Sequence, residues 1–332
     1  MKVLIIGAGR MGTRHMQGAQ KAKNVEKIVI TDIKEEALTN AKTVSENDPR
    51  VGFILFENLE IEKYDICIIA SVADNRKQLC EFAVRCQCQY LMIEKPLGQS
   101  YEEVEKLIQY FNSLPINVVV NLNMRLYDPV NKLKIDLKKY RQLQGETVVT
   151  LNTGTLGIGC NGIHYLDFLF FIMDADKAEI IAAEVDDTII PSGRGSQFCD
   201  FGGWAVIKYY NGQKLRCTAM LSMSAKSTVF GGWEIVAPFG RITIDEIAQE
   251  RITILRKEDS NMPMNRYAAD YLPAEKETFA APFLGDLTAM WINELQNGKN
   301  LLPDARESLK AHKLMFDWLS YSKTHKKVFP IT

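Results

Sequence analysis

The stretch Lys2-Val3-Leu4-Ile5-Ile6-Gly7-Ala8-Gly9-Arg10-Met11-Gly12 decides how the rest of the chain is read. Val3 to Ile6 is a continuous apolar run, the pattern of a parallel strand covered on both faces. Met11 to Lys23 then reads as a helix. A second apolar run, Ile28-Val29-Ile30-Thr31, ends in Asp32, twenty residues beyond Gly12. G-x-G-x-x-G alone is weak. Between a strand and a helix, with an acid at that distance, it specifies a dinucleotide-binding turn. Gly7 permits the tight exit from the strand, Gly9 leaves room for a pyrophosphate, and Gly12 lets the helix lie close to the sheet. The helix start, which includes Arg10 and Met11, offers unpaired N–H donors and a partial positive charge to the phosphates. Asp32 is expected to accept hydrogen bonds from the adenosine ribose hydroxyls. Its charge opposes a 2′-phosphate, so NAD is expected in preference to NADP, a preference that Lys34 softens.

The whole chain suits this start. Its 332 residues suggest two domains, each with its own core. Forty basic and 41 acidic residues give a formal charge of −1, which argues against nucleic acid or an anionic membrane as partner. Seven cysteines (67, 80, 86, 88, 160, 199 and 217) are scattered. Cys86-Gln87-Cys88 is too tight for a zinc knuckle and no second Cys/His pair completes it, so no metal is expected. Buried thiols in a reducing cytoplasm are the expected state. Val3 to Ile6 is too short for a signal-peptide core. Tyr165 to Met173 is interrupted by Asp167 and is about half the length needed to cross a bilayer. A cytoplasmic protein is expected.

Strand patterns at 3–6, 27–31, 53–56, 66–70, 90–93 and 117–121 alternate with helical patterns near 10–23, 34–46, 74–87 and 100–113. That alternation is the doubly wound α/β pattern of a Rossmann parallel sheet, assigned to residues 1–122. Ser100 and Glu103 form a capping box for the last of these helices. Residues 123–332 are read as a second α+β domain on a large, mostly antiparallel open sheet. Its strand patterns lie at 147–153, 178–190, 203–210, 214–222, 232–237, 240–244 and 251–255. Helices are expected at 128–139, 161–173, 282–297 and 304–322, the last packing back on the first domain. Asn211-Gly212 is a hairpin turn. Residues 256–280 read as a loop, and Gly154 to Gly159 as a glycine-rich loop that lets backbone approach a ligand.

Four matched places make the chain resemble the Gfo/Idh/MocA oxidoreductases (glucose–fructose oxidoreductase, inositol dehydrogenase and relatives). They are Gly7 to Gly12 with His15, Glu94-Lys95-Pro96, Asn121 to Pro129 (NLNMRLYDP), and Gly162 to Asp167 (GIHYLD). The resemblance spans nearly the whole chain. It implies that Lys95 faces nicotinamide and substrate, with Glu94 and Ser71 on the cofactor side. The lysine also makes chemical sense in its own right. Oxidising an alcohol carbon leaves a hydroxyl proton to remove, and Lys95 follows an apolar strand at the end where open α/β sheets place ligands. Pro96 fixes the strand end, with a cis bond as one way of doing so. His164 is the second catalytic candidate, as base or substrate anchor near a helix start, which disfavours its imidazolium form. Asp167 either orients its ring or makes a structural hydrogen bond.

Two departures from the family pattern stand out. Many members carry an aspartate four residues before the histidine; here that residue is Cys160, followed by Asn161, both read as substrate-side residues. The threonine-proline turn after the fourth strand is Ser71-Val72. A Cys-Asn-x-Ile-His stretch and the basic-glycine segment Ser192 to Gly195 are similar to members in bacterial surface-polysaccharide pathways. This makes Arg194 a candidate contact for a sugar's phosphate or carboxylate, and Arg125, in the segment after the sixth strand, is another candidate substrate contact. The implied activity is NAD-dependent hydride transfer at a hydroxyl or keto carbon of a sugar, cyclitol or nucleotide sugar, by a homodimer or homotetramer. Two alternatives stay open: an NAD(H)-binding sensor or assembly partner without catalysis, and a different Rossmann reductase of the imine or biliverdin type.

Overall fold

The computed structural model describes residues 1–140, 146–154, 156–192, 198–224, 231–257 and 270–323. They form two compact units, Met1–Leu126 with Pro282–Leu309, and Tyr127–Ala281 with Lys310–Thr332.

The first unit alternates β1 (Lys2–Ile6), α1 (Arg10–Lys21), β2 (Lys27–Asp32), α2 (Glu35–Thr43), β3 (Val51–Leu55), β4 (Ile66–Ile69), α3 (Arg76–Arg85), β5 (Tyr90–Ile93), α4 (Tyr101–Phe111) and β6 (Asn117–Val120). The six strands are all parallel, in the order β3-β2-β1-β4-β5-β6. The order reverses between β1 and β4, the switch point at which such sheets bind ligands outside their carboxyl ends. Val3 to Ile6 and Ile66 to Ile69 are fully buried, which accounts for their unbroken apolar runs. One half of the capping box forms: Ser100 Oγ accepts from the Glu103 N–H at 3.2 Å, whereas Glu103 Oε2 accepts from the Gln99 N–H at 2.7 Å, one residue before the cap. Helix α7 (Leu284–Gln296) packs on α1. The chain just beyond it adds to the β6 edge, where the Val120 N–H donates to the Pro303 carbonyl.

The second unit contains α5 (Asp128–Tyr140), β7 (Thr147–Asn152), a π-helical turn (Gly157–Gly162) and α6 (Ile163–Met173). Seven more strands follow: β8 (Lys177–Pro191), β9 (Cys199–Asn211), β10 (Lys214–Ser222), β11 (Gly232–Ala237), β12 (Gly240–Asp245), β13 (Glu250–Leu255) and β14 (Glu275–Thr278). The final helix, α8 (Ala305–Leu319), begins in the first unit's segment. The eight-stranded sheet runs β14-β13-β12-β11-β7-β10-β9-β8, antiparallel except for the β7–β10 pair. The Asn211-Gly212 hairpin is present, with Gly212 at φ +57°. Helix α6 covers one face through Phe168 on Trp233 and Phe170 on Tyr209, ring centres 4.4 and 5.0 Å apart. Ile181, Trp204, Met220 and Val236 remain exposed on the sheet.

Two expectations change. Residues 256–280 are not all loop, because Glu275 to Thr278 pairs with β13 as an edge strand. Its sequence Glu-Lys-Glu-Thr has no apolar member, so it carries no periodic signal; backbone hydrogen bonds and the Lys132–Glu277 ion pair hold it. Gly157 to Gly159 is not a loop but part of the π-helical turn, which runs without a break into α6. His164 is therefore not at a bare helix start, and a helix end gives no reason for a neutral ring there. None of the seven cysteines is in a disulfide, and all but Cys160 are buried. Among the described residues no helix is long and apolar enough to cross a membrane, and no group of His, Cys, Asp and Glu is arranged to hold a metal.

Candidate active site

Because the first sheet is wholly parallel, Gly7, Asp32, Ser71, Lys95 and Asn121 all lie at the carboxyl ends of its strands. The glycine turn is built tightly. The Gly7 N–H donates to the Thr31 carbonyl at 2.8 Å, and Gly7 holds φ +105°. A Cβ at Gly12 would lie 1.7 Å from the Gly7 carbonyl oxygen, whereas a Cβ at Gly9 would meet nothing within 4 Å. The turn is closed where the helix meets the strand and open where a pyrophosphate would approach. Gly9 caps α1 with no side-chain hydrogen bond, so no side chain competes for the first-turn donors. Arg10 is exposed and Met11 half-buried beside them. Asp32 is half-buried; Oδ2 accepts the Ala8 N–H at 2.7 Å and Oδ1 the Lys34 N–H at 2.9 Å. Those bonds aim the carboxylate at the turn while leaving acceptor capacity on each oxygen. The residues present fit a dinucleotide.

Lys95 follows β5, joined to Pro96 by a cis peptide bond, and is only 6% exposed. Its neighbour Glu94 is buried and built into a relay. Glu94 Oε1 accepts from His15 Nε2 at 2.9 Å and from Asn121 Nδ2 at 2.6 Å. The Thr288 hydroxyl donates to the Leu284 carbonyl at 3.0 Å, so Thr288 Oγ1 accepts from His15 Nδ1, 2.9 Å away. Burial pushes the Glu94 carboxyl up, but the hydrogen bond and charge of His15, the Lys95 charge and the Asn121 amide outweigh it. The group is held well below the usual carboxylate range and is ionised. Ser71 is half-buried, and its hydroxyl donates to the Val72 carbonyl at 3.2 Å. Arg125 is buried and gives one guanidinium nitrogen to Glu307 Oε1 at 2.8 Å, an ion pair within the first unit.

In the second unit, Cys160, Asn161 and His164 are the partly exposed residues of a turn whose other members from 156 to 165 are buried. Spaced i, i+1 and i+4, they share one helical face. Asn161 Nδ2 donates to the Leu156 carbonyl at 3.2 Å, which leaves its oxygen side for a ligand. Beneath the turn, the Asp200 carboxylate accepts N–H groups from Gly159, Cys160 and Phe201. Asp167 is fully buried on α6. Arg194 lies outside the described residues.

Sequence reasoning missed three groups. His15 was noted only as part of a motif, yet it is the partner of Glu94. Asp200 gave no signal, as a lone acid forty residues from the turn. Glu246 is a third: both its oxygens accept from the Tyr165 hydroxyl (3.0 and 2.9 Å), and burial pushes its carboxyl up.

Residues 1–122 match the family model for Gfo/Idh/MocA oxidoreductases, described as an NAD-binding Rossmann fold. No curated protein matches the chain in sequence. Solved structures match it end to end. An oxidoreductase from Agrobacterium radiobacter, in complex with NAD+, L-tartaric acid and magnesium, superposes with a TM-score of 0.71 at 15% identity, covering 98% of this chain and 97% of that one. A UDP-N-acetylglucosamine 3-dehydrogenase from Acidithiobacillus ferrooxidans gives 0.66 at 13% identity, covering 97% of each chain. A super-repressor mutant of Gal80p from Saccharomyces cerevisiae gives 0.72 at 12% identity, covering 97% of this chain and 96% of that one. Residues 1–122 are thus an NAD-binding Rossmann domain of the Gfo/Idh/MocA oxidoreductase family, carried in a chain that shares its whole fold with these structures.

Proposed function

We propose that the protein is an NAD-dependent dehydrogenase that moves hydride between the cofactor and a hydroxyl-bearing or keto carbon of a sugar, cyclitol or nucleotide sugar. The observation that carries this reading is Lys95, a buried lysine at the ligand edge of a dinucleotide-binding sheet, next to a carboxylate locked by His15 and Asn121. Gly7, Gly9, Arg10, Met11 and Gly12 hold the pyrophosphate and Asp32 the adenosine ribose, with Ser71 and Glu94 on the nicotinamide side. Bound NAD+ supplies the hydride acceptor. Lys95 relays the proton that leaves the substrate hydroxyl as the carbonyl forms, releasing an ammonium proton as it takes the hydroxyl's. His164 serves as base or anchor, and Cys160, Asn161, Arg194 and Arg125 are the substrate contacts. Asp32 favours NAD over NADP.

The exposed sheet face bearing Ile181, Trp204, Met220 and Val236 suits a second copy of the chain, giving a homodimer or homotetramer. Seven cysteines without a disulfide suit a reducing compartment such as the cytoplasm. A second reading, NAD(H) binding without catalysis, is favoured by one observation: a thiol, Cys160, stands where an acid would assist proton removal. The test is NADH formation from NAD+ with a panel that includes myo-inositol and UDP-N-acetylglucosamine. Substrate-dependent NADH formation supports the dehydrogenase. NADH binding with no turnover across the panel supports the binder.

A further inference from the structure

We propose that Asp200 is a positioning residue of the substrate side of the site: its buried carboxylate holds the turn Gly157–Gly162 so that Cys160, Asn161 and His164 face a hydroxylated substrate. The role in substrate handling rests on the dehydrogenase reading; the holding of the turn does not.

Three observations support it. First, Asp200 lies on β9 and is 3% exposed, a costly place for a carboxylate unless hydrogen-bonded. It is hydrogen-bonded by the turn itself: Oδ1 accepts the Gly159 N–H at 2.9 Å and the Phe201 N–H at 2.8 Å, and Oδ2 accepts the Cys160 N–H. N–H groups in the first turn of a helical segment have no carbonyl partner within it, and a carboxylate is the strongest acceptor a side chain offers them. Second, the turn is shaped around that carboxylate. Gly157 holds φ +70°, and a Cβ there would lie 2.2 Å from Asp200 Oδ2. The carboxylate fills the space that a side chain would take. Third, the partly exposed residues are the three candidates, Cys160, Asn161 and His164, while their neighbours are buried. A turn pinned from its inner side presents its outer side in one geometry, which a site that orients a substrate hydroxyl requires.

The experiment uses the full chain with NADH, as wild type, Asp200→Asn and Gly157→Ala. Asp200→Asn keeps the size but turns an amide donor toward N–H groups. Gly157→Ala pushes on the same contact from the turn while leaving the carboxylate's chemistry unchanged. NADH affinity reports that the first unit is intact. One readout needs no substrate. Cys160 is the one partly exposed thiol of seven, so iodoacetamide labelling located by mass spectrometry reports on the turn. Loss of charge-assisted hydrogen bonds should speed Cys160 labelling about tenfold in both variants, with the other six thiols unlabelled. The second readout is kinetic. With a panel compound that the wild type oxidises, kcat/KM should fall about a hundredfold, as displaced positioning groups produce, with KM for NAD+ unchanged.

Unchanged labelling in both variants overturns the proposal. So does faster labelling with unchanged kcat/KM, which would make Asp200 purely structural. A wild type that oxidises nothing on the panel sinks the dehydrogenase reading, and labelling still decides whether Asp200 holds the turn. If neither variant folds, amide hydrogen exchange on the wild type decides: Gly159 and Cys160 should be protected, and exchange as fast as at an open loop overturns the proposal.

Discussion

Replacing His15 with leucine tests whether the buried pair beneath Lys95 is organised as described. Leucine is of similar volume, so the change removes hydrogen bonds and charge rather than packing. Glu94 Oε1 loses the His15 bond at 2.9 Å and keeps only Asn121 at 2.6 Å. Oε2 is buried with no hydrogen-bond partner and offers no compensation. Breaking a buried pair by removing one member costs about 3–5 kcal/mol. The surviving Asn121 bond and Lys95 charge place the value near the lower end, about 3 kcal/mol at pH 7. For a unit of this size that is a fall in melting temperature of about 6–12 °C. The pH dependence has a definite sign. In the wild type the Glu94 carboxyl is held below its ordinary value of 4.5. Its contribution is therefore present above that pH and is lost as pH falls toward the lower folded value. In His15→Leu, burial works on Glu94 with weaker opposition, so the carboxyl rises. The gap between wild type and variant should be widest near neutrality and close in acid. Adding Glu94→Gln removes the stranded charge, so the double variant should recover about 2 kcal/mol of the loss at pH 7. Urea unfolding followed by hydrogen exchange of β5 amides measures each value. A His15→Leu loss under about 1 kcal/mol, or a double variant no better than the single, would refute the relay.

The glycine turn separates folding from binding. Gly9→Ala, with open space around its Cβ, should leave stability within about 0.5 kcal/mol yet weaken NADH binding about tenfold or more, whereas Gly12→Ala, 1.7 Å from the Gly7 carbonyl, should destabilise the unit itself; calorimetric titration and thermal unfolding of the pair check both. Asp32→Asn should weaken NADH and narrow its advantage over NADPH, and an unchanged preference would show that Asp32 does not select the cofactor. Met220→Lys with Val236→Lys should shift sedimentation toward monomer, and a wild type that is monomeric at high concentration would reject the second-copy reading of that sheet face.

What could be read from the sequence, and what could not, follows the range of the interactions. The Rossmann sheet was legible because its strands are buried on both faces and its turn needs glycine at fixed offsets, both local signals. The place of Lys95 after β5 was legible because that strand is a continuous apolar run. His15 and Glu94 are 79 positions apart, and Thr288 completes their relay from 273 positions beyond His15. No local pattern encodes that contact. The Arg125–Glu307 ion pair, 182 positions apart, is hidden for the same reason. In the second sheet, alternation marked β7 to β13, and β14 escaped because an edge strand can be wholly polar. The π-helical turn was hidden for a related reason: Gly157 and Gly159 read as loop, whereas Gly157 makes room for the Asp200 carboxylate.

The proposal that Lys95 relays the substrate proton on an NAD-binding sheet stands or falls on turnover. Its most direct test is NADH formation, followed by absorbance, with wild type and Lys95→Ala side by side on a substrate the wild type oxidises. NADH affinity should be unchanged and kcat lowered by about 10²–10⁴ in the variant. Turnover retained at the wild-type rate would contradict it.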